Sequence, residues 1–91
     1  MAILKVNRQT LAGDCEAYEF DVKGVKFLVK NLSANDCLVN FEEITNENEG
    51  TSILVPSKTA QIVLSCENSG QPSDTIYVKG TGDVEVQVVL W

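Results

Sequence analysis

The 91-residue sequence contains no histidine, and it has only one tryptophan, two prolines and seven basic side chains. Histidine is the usual general base of enzymes and the commonest nitrogen ligand of protein-bound metals. Its absence therefore argues against acid–base catalysis and against imidazole metal sites. We expect a noncatalytic protein, not an enzyme, with no catalytic residues, no metal and no cofactor.

Basic residues are few, and long apolar runs are missing. Thirteen acidic side chains outnumber the seven basic ones, and the net charge is −6. Proteins that bind nucleic acid neutralise phosphates with clustered Lys and Arg, so we expect no nucleic-acid partner. No window approaches the roughly 18 apolar residues of a membrane span, and the first residues lack the features of a signal peptide. We expect no membrane partner and no signal peptide.

The three cysteines are Cys15, Cys37 and Cys66, which lie 22 and 29 residues apart. Structural zinc sites use closely spaced pairs of cysteines, so this spacing argues against zinc. Without a signal peptide we expect three reduced thiols in a cytosolic product. One disulfide with one free thiol is the alternative.

The acidic segment 42–50 is the best candidate for a metal site, because Ca²⁺ prefers carboxylate and amide oxygens. Its glutamates and asparagines nevertheless do not follow the spacing of a calcium-binding loop. We therefore expect a solvated acidic loop.

Apolar residues alternate with polar ones along most of the chain, which is typical of half-buried strands. Tyr18, Phe20 and Val22 share one face of such a strand. Turn residues at 10–14, Gly24 and 80–82 divide neighbouring strands, and the last two predict hairpins. About eight strands follow, at roughly ten-residue spacing. We predict an all-β fold of one domain, 1–91: an antiparallel, jelly-roll-like β-sandwich, with a small barrel as the alternative.

The segment 33–46 carries two conflicting signals. Ser33 and Asp36 match a helix capping box, which predicts a short helix near 33–44. Cys37, Val39 and Phe41 instead alternate with Leu38 and Asn40, which favours a strand. The strand is the preferred interpretation.

Several predicted strands are apolar on both faces, above all the last one. A two-layer sandwich buries one face of each sheet, so the second apolar set should contact another chain. We predict a protein-interface surface made by Val86, Val88, Val89, Leu90 and Trp91. Ordinary central strands, or a closed barrel, are the alternative explanation.

The six aromatic residues divide into two groups. Four lie on apolar faces and are expected in the core: Tyr18, Phe20, Phe27 and Phe41. The other two, Tyr77 and Trp91, are candidate surface rings. They define the alternative function, a small module that binds carbohydrate or another ligand.

Four segments together resemble small phage and prophage proteins: FLVKNLS at 27–33, VNFE at 39–42, ILVPS at 53–57 and IYVKGTGDVEVQV at 76–88. The resemblance implies a compact β-sandwich that serves as a structural virion component, such as a head decoration, fibre or tail accessory protein. It also implies homo-oligomers and contacts with other virion proteins, with localisation in the virion after assembly in the host bacterial cytoplasm. No ligand residues carry over, and residues 1–24 lie outside the resemblance.

Overall fold

Alternating apolar and polar residues form an antiparallel sheet in a computed structural model, which describes residues 2–90. The fold is nearly all-β, with 66% strand and 9% helix. A 3-10 helix spans Glu49–Thr51, and one short helix, α1, spans Ser65–Ser69. The described residues form six strands: β1 (Ala2–Gly24), β2 (Lys26–Asn31), β3 (Cys37–Asn40), β4 (Ile53–Val55), β5 (Ala60–Leu64) and β6 (Ser73–Leu90).

The two long strands, β1 and β6, organise the sheet. They pair antiparallel from Ala2 opposite Leu90 to Gly24 opposite Ser73. A register irregularity lies between Ala12 and Cys15, next to Gly13, whose φ is +103°. Such irregularities bend a strand and increase its twist. The paired strands thus change direction near their middle and contribute to two different parts of the sheet.

We call these two parts half-sheets I and II. Half-sheet I contains β1 residues 2–12, β6 residues 81–90, β2 and β5. Half-sheet II contains β1 residues 15–24, β6 residues 73–79, β3 and β4. β6 is central in both, because β1 pairs with one of its edges while β2 and β3 pair with the other. The whole sheet is nearly barrel-shaped.

The core lies between the two half-sheets. The ring of Phe27 in β2 contacts the rings of Phe20 and Phe41, with centroids 5.9 and 5.5 Å apart. The hydroxyl of Tyr18 donates to the carbonyl oxygen of Val84 at 2.7 Å, so a buried hydrogen bond also joins the halves. These contacts place the four aromatic residues predicted for the core against it, two fully buried and two partly.

Polar side chains connect the two parts of β1 where main-chain pairing is missing. Lys5 forms an ion pair with Asp21 at 3.2 Å. The side-chain amides of Asn7 and Gln9 donate to main-chain carbonyls of residues 19 and 17. These contacts draw the ends of the sheet together and account for its nearly barrel-like shape.

The prediction of an all-β antiparallel fold is confirmed, but residues 2–90 contain six strands where about eight were predicted. The segments on either side of residues 10–14 belong to the single strand β1, and those flanking 80–82 belong to β6. Neither predicted hairpin forms, because β6 pairs with β1 throughout and β2 pairs with β5 and β6.

The predicted alternative of a helix near 33–44 is wrong. Residues 37–40 form β3, as the alternation indicated. The Ser33 hydroxyl, which would cap a helix, instead lies 2.7 Å from both the side-chain oxygen of Asn31 and the carbonyl oxygen of Asn35, which share its single proton. Asn31 is fully buried and also donates to the carbonyl oxygen of Val55. This network stabilises a tight turn before β3.

Candidate interaction face

Three of the residues predicted to contact a partner are buried within the chain itself. Val86 and Val88 are 0% exposed and belong to the core, whereas Val89 is 3% exposed and lies on the outward side between its neighbouring strands. The burial of these three residues corrects the prediction that they form an exposed contact surface. Leu90 is exposed, whereas Trp91 lies outside the described residues.

The exposed apolar surface is built by the strands that flank β6 in half-sheet I. Val86 and Val88 point inward, so alternate residues of these strands form the outward side. Residues that lie opposite one another in β1, β6, β2 and β5 form rows across this side of the sheet. We call the following three rows the apolar face: Ile3, Val89, Lys26 and Leu64; Val6, Gln87, Leu28 and Ile62; Arg8, Glu85, Lys30 and Ala60.

The apolar face exposes aliphatic side chains on both sides of its buried centre. Ile3 is 56% exposed and Val6 54%, while Ile62 on the opposite edge is 38% exposed. A shallow groove of about 170 Å³ adjoins the face and is lined in part by Leu4, Val25 and Leu90. Six of the eight exposed large hydrophobic side chains within residues 2–90 therefore lie on this face or in its groove.

A buried carboxylate, that of Glu85, lies in the third row of the face. Glu85 is 8% exposed and accepts hydrogen bonds from Arg8 Nη2 and Gln87 Nε2, each at 2.7 Å. Lys30 Nζ lies 3.7 Å from the same carboxylate. Hydrogen bonding from the Arg8 guanidinium, reinforced by the Gln87 amide, lowers the pKa of Glu85. The face therefore holds an ionised, fully partnered carboxylate.

Gln87 has an unsatisfied acceptor beside this carboxylate. Its Nε2 donates to Glu85, which determines the orientation of the amide, because the flipped amide would put oxygen against oxygen. Its Oε1 is buried and has no hydrogen-bond partner among the described residues. Leaving such an acceptor unpaired costs about 1–3 kcal/mol.

The outward side of half-sheet II, by contrast, is covered in part by the chain itself. The main-chain N–H of Ile44, a buried residue of the acidic segment, donates to Cys15 Sγ at 3.4 Å. Glu49 Oε2 lies 2.7 Å from Lys79 Nζ, and this contact raises the pKa of Lys79. The acidic segment thus lies against half-sheet II and leaves half-sheet I uncovered.

Tyr77, the described member of the predicted ligand surface, is half-buried in β6. Two shallow grooves, of about 210 and 310 Å³, share four lining residues: Asn40, Phe41, Glu42 and Asn68. Tyr77 lines neither groove. The amides of Asn40 and Asn68 bond to Ser52 and to the Leu64 carbonyl oxygen. These amides therefore stabilise the chain's own loops.

Cysteines and acidic residues are dispersed over the fold. The three cysteines form no disulfide; Cys37 is buried and Cys66 is exposed. Within residues 2–90, no group of three or more Cys, Asp or Glu side chains is placed to hold a metal ion. That part of the chain also contains no helix whose length and apolar character would let it cross a membrane.

Comparisons with protein-family models, curated proteins and solved structures find no match to this chain.

Glu85 and Gln87 were not among the site residues predicted from the sequence. Both lie in the strand segment that was selected for its apolar residues. Their polarity in that segment was the available signal, but their partners Arg8 and Lys30 become neighbours only through strand pairing.

Proposed function

We propose that the protein is a noncatalytic assembly subunit that binds further copies of itself, and other structural proteins, through its apolar face. One observation carries this proposal: β1 and β5 place the exposed aliphatic side chains of Ile3, Val6 and Ile62 on one outward surface. Large exposed apolar patches usually mark contacts with another chain.

The exposed side chains supply enough apolar area for a moderate contact. Full burial of a Val or Ile side chain contributes about 1.5–3 kcal/mol, so covering the exposed half of Ile3, Val6 or Ile62 contributes about 1 kcal/mol each. The adjoining groove extends the contact to Leu90, the described residue of the predicted interface that remains exposed.

We propose further that the assembly is a phage or prophage particle, in which the chain is a head decoration, fibre or tail accessory protein. The segments at 27–33, 39–42, 53–57 and 76–88, which resemble small phage proteins, support this assignment. We take the two half-sheets with the core between them to be the layers of a jelly-roll-like β-sandwich.

The experiment compares two variants that add the same charge at exposed positions. Val6→Lys places an ammonium group in the central row of the apolar face, next to Gln87. Ala34→Lys is the control, since Ala34 is exposed in the turn before β3 and lies outside the apolar face. Sedimentation equilibrium at micromolar concentration measures the association constant of each variant and of the wild type.

We expect the wild type and Ala34→Lys to form oligomers with similar association constants. Val6→Lys should weaken association at least about tenfold, which corresponds to 1.4 kcal/mol. Equal association of the two variants would refute the role of the apolar face. A wild-type chain that stays monomeric would refute the self-assembling subunit itself.

A further inference from the structure

Charge is distributed unevenly between the apolar face and the rest of the molecule. The outward side of half-sheet I contains Arg8, Lys26 and Lys30 against the carboxylates of Glu85 and Asp83, which gives +1. Because the whole chain carries −6, the remainder carries −7. Three of the seven basic residues thus gather on the face that also exposes Ile3, Val6 and Ile62.

The opposite side of the molecule is acidic. Residues 42–49, which we call the acidic loop, contain four glutamates. Glu49 pairs with Lys79, while Glu42, Glu43 and Glu47 are exposed. The loop lies against the outward side of half-sheet II, and the apolar face is the outward side of half-sheet I. The core separates the two surfaces.

An exposed leucine accompanies the acidic loop. Leu54 in β4 lies in register with Leu38, which in turn is opposite Lys79, the partner of Glu49. Its neighbours Ile53 and Val55 point toward the core, so Leu54 points outward and is exposed. The acidic side therefore combines carboxylates with an aliphatic contact point, as a complement of the apolar face requires.

From this arrangement we infer that copies of the chain associate head to tail, with the apolar face of one copy against the acidic loop and Leu54 of the next. This inference rests on the proposed function. A face-to-face dimer would bring two surfaces of net positive charge together, and like charges across an interface are unfavourable. In the head-to-tail contact the glutamates of one copy face Arg8 and Lys30 of the other.

The head-to-tail contact determines how large the assembly becomes. A head-to-tail contact uses two different surfaces, so each added copy leaves one of each free. Because the surfaces lie on opposite sides of the molecule, the product is an open stack or a large ring. The average mass should rise steadily with protein concentration and fall with added salt, since salt screens exposed charges.

The experiment mixes two variants, each blocked on one surface. The face variant is Val6→Lys, and the loop variant combines Glu43→Lys with Glu47→Lys. A charge-matched control combines Glu67→Lys with Asp74→Lys, two exposed positions outside both surfaces. Circular dichroism first establishes that each variant retains the β-spectrum of the wild type, and sedimentation velocity then measures the size distribution.

We expect the face variant and the loop variant to be monomeric alone and to form a dimer that grows no further when mixed. The control should assemble as the wild type does. If the loop variant assembles like the wild type, or if the mixture stays monomeric, the head-to-tail contact is wrong while the assembly function stands. A wild-type monomer would overturn both.

Discussion

The bend of β6 depends on Gly82, and replacing this residue provides the most direct test of the fold. Its φ is +95°, in the left-handed region that residues with a Cβ rarely adopt. A Cβ added here would lie 2.5 Å from the Cβ of Ser33, which is closer than real atoms approach. Ser33 cannot move freely, because its hydroxyl is bonded to Asn31 and Asn35.

Two costs add in Gly82→Ala. The left-handed backbone conformation costs about 1–2 kcal/mol for a residue with a Cβ. Overpacking against the buried Ser33 costs about 1–3 kcal/mol more. The free energy of unfolding should therefore fall by about 2–5 kcal/mol, a large part of the roughly 5–15 kcal/mol typical of a domain.

Urea unfolding followed by far-ultraviolet circular dichroism measures this loss. For a small protein the denaturant slope is about 1–3 kcal/mol per molar urea, so the midpoint should fall by about 1–3 M. Gly13→Ala should lie between Gly82→Ala and the wild type, because φ at Gly13 is also positive but the nearest atom to an added Cβ is 3.8 Å away.

Gly50→Ala is the matched control, since no atom lies within 4 Å of the added Cβ and the backbone is outside the left-handed region. Its midpoint should equal that of the wild type or exceed it slightly, because alanine restricts the unfolded chain. If Gly82→Ala unfolded at the same urea concentration as Gly50→Ala, the bend of β6 at this position would be refuted.

Three further measurements test the core and the charged network. The pKa of Glu85 is lower in the folded chain than the ordinary carboxyl value of 4.5. Ionised Glu85 therefore stabilises the fold above pH 4.5, and this contribution is lost as the pH falls from 4.5 through the lower pKa of the folded state. Urea titrations between pH 6 and about pH 3 should thus show a shallower loss of stability for Glu85→Gln than for the wild type. Tyr18→Phe should lower the free energy of unfolding by about 1–2 kcal/mol in the same assay, because a buried hydrogen bond is lost; an unchanged midpoint would contradict it. Iodoacetamide should alkylate the exposed Cys66 in the native protein. Cys37 is buried and its pKa is raised to about 11, so it should react only after unfolding. Peptide mass spectrometry of the alkylated protein measures both reactions.

The core could be predicted from the sequence because alternation is a local signal. Tyr18, Phe20 and Val22 were placed on one face, and all three contact the core. Phe27 and Val29 follow the same rule and are fully buried. Side chains of a strand point alternately to opposite faces, so this assignment needs no knowledge of the strand's neighbours.

Strand order could not be predicted in the same way. A glycine-containing segment such as 80–82 is compatible with a hairpin turn and with a bend in a continuous strand, since both need unusual backbone angles. The choice depends on pairing partners distant in sequence: Lys79 pairs with Cys15, and Asp83 pairs with Thr10. Pairing of residues more than 60 positions apart leaves no signal in either segment alone.

The apolar face could not be located from the sequence for the same reason, because it depends on pairing between distant segments. Apolarity on both sides of the predicted strand at 86–91 indicated a contact surface, but a central strand is equally apolar because its neighbours bury both its faces. The exposed aliphatic residues lie instead on the flanking strands, with Val6 in β1 and Ile62 in β5. Each lies in a short apolar segment of its own, and only the registered rows through β6 and β2 bring the two onto one surface.

Net charge is a comparable case, because an average over the chain hides how the charges are arranged. A value of −6 argues against nucleic-acid binding, yet it gives no indication that Arg8 and Lys30 meet at one carboxylate. Arg8 comes from β1 and Lys30 from β2, and β6 lies between them with Glu85. Since the acidic loop lies on the other side of the core, the fold converts a uniformly acidic composition into two surfaces of opposite character. That polarity, and not the net charge, determines which surface of one copy can bind the next.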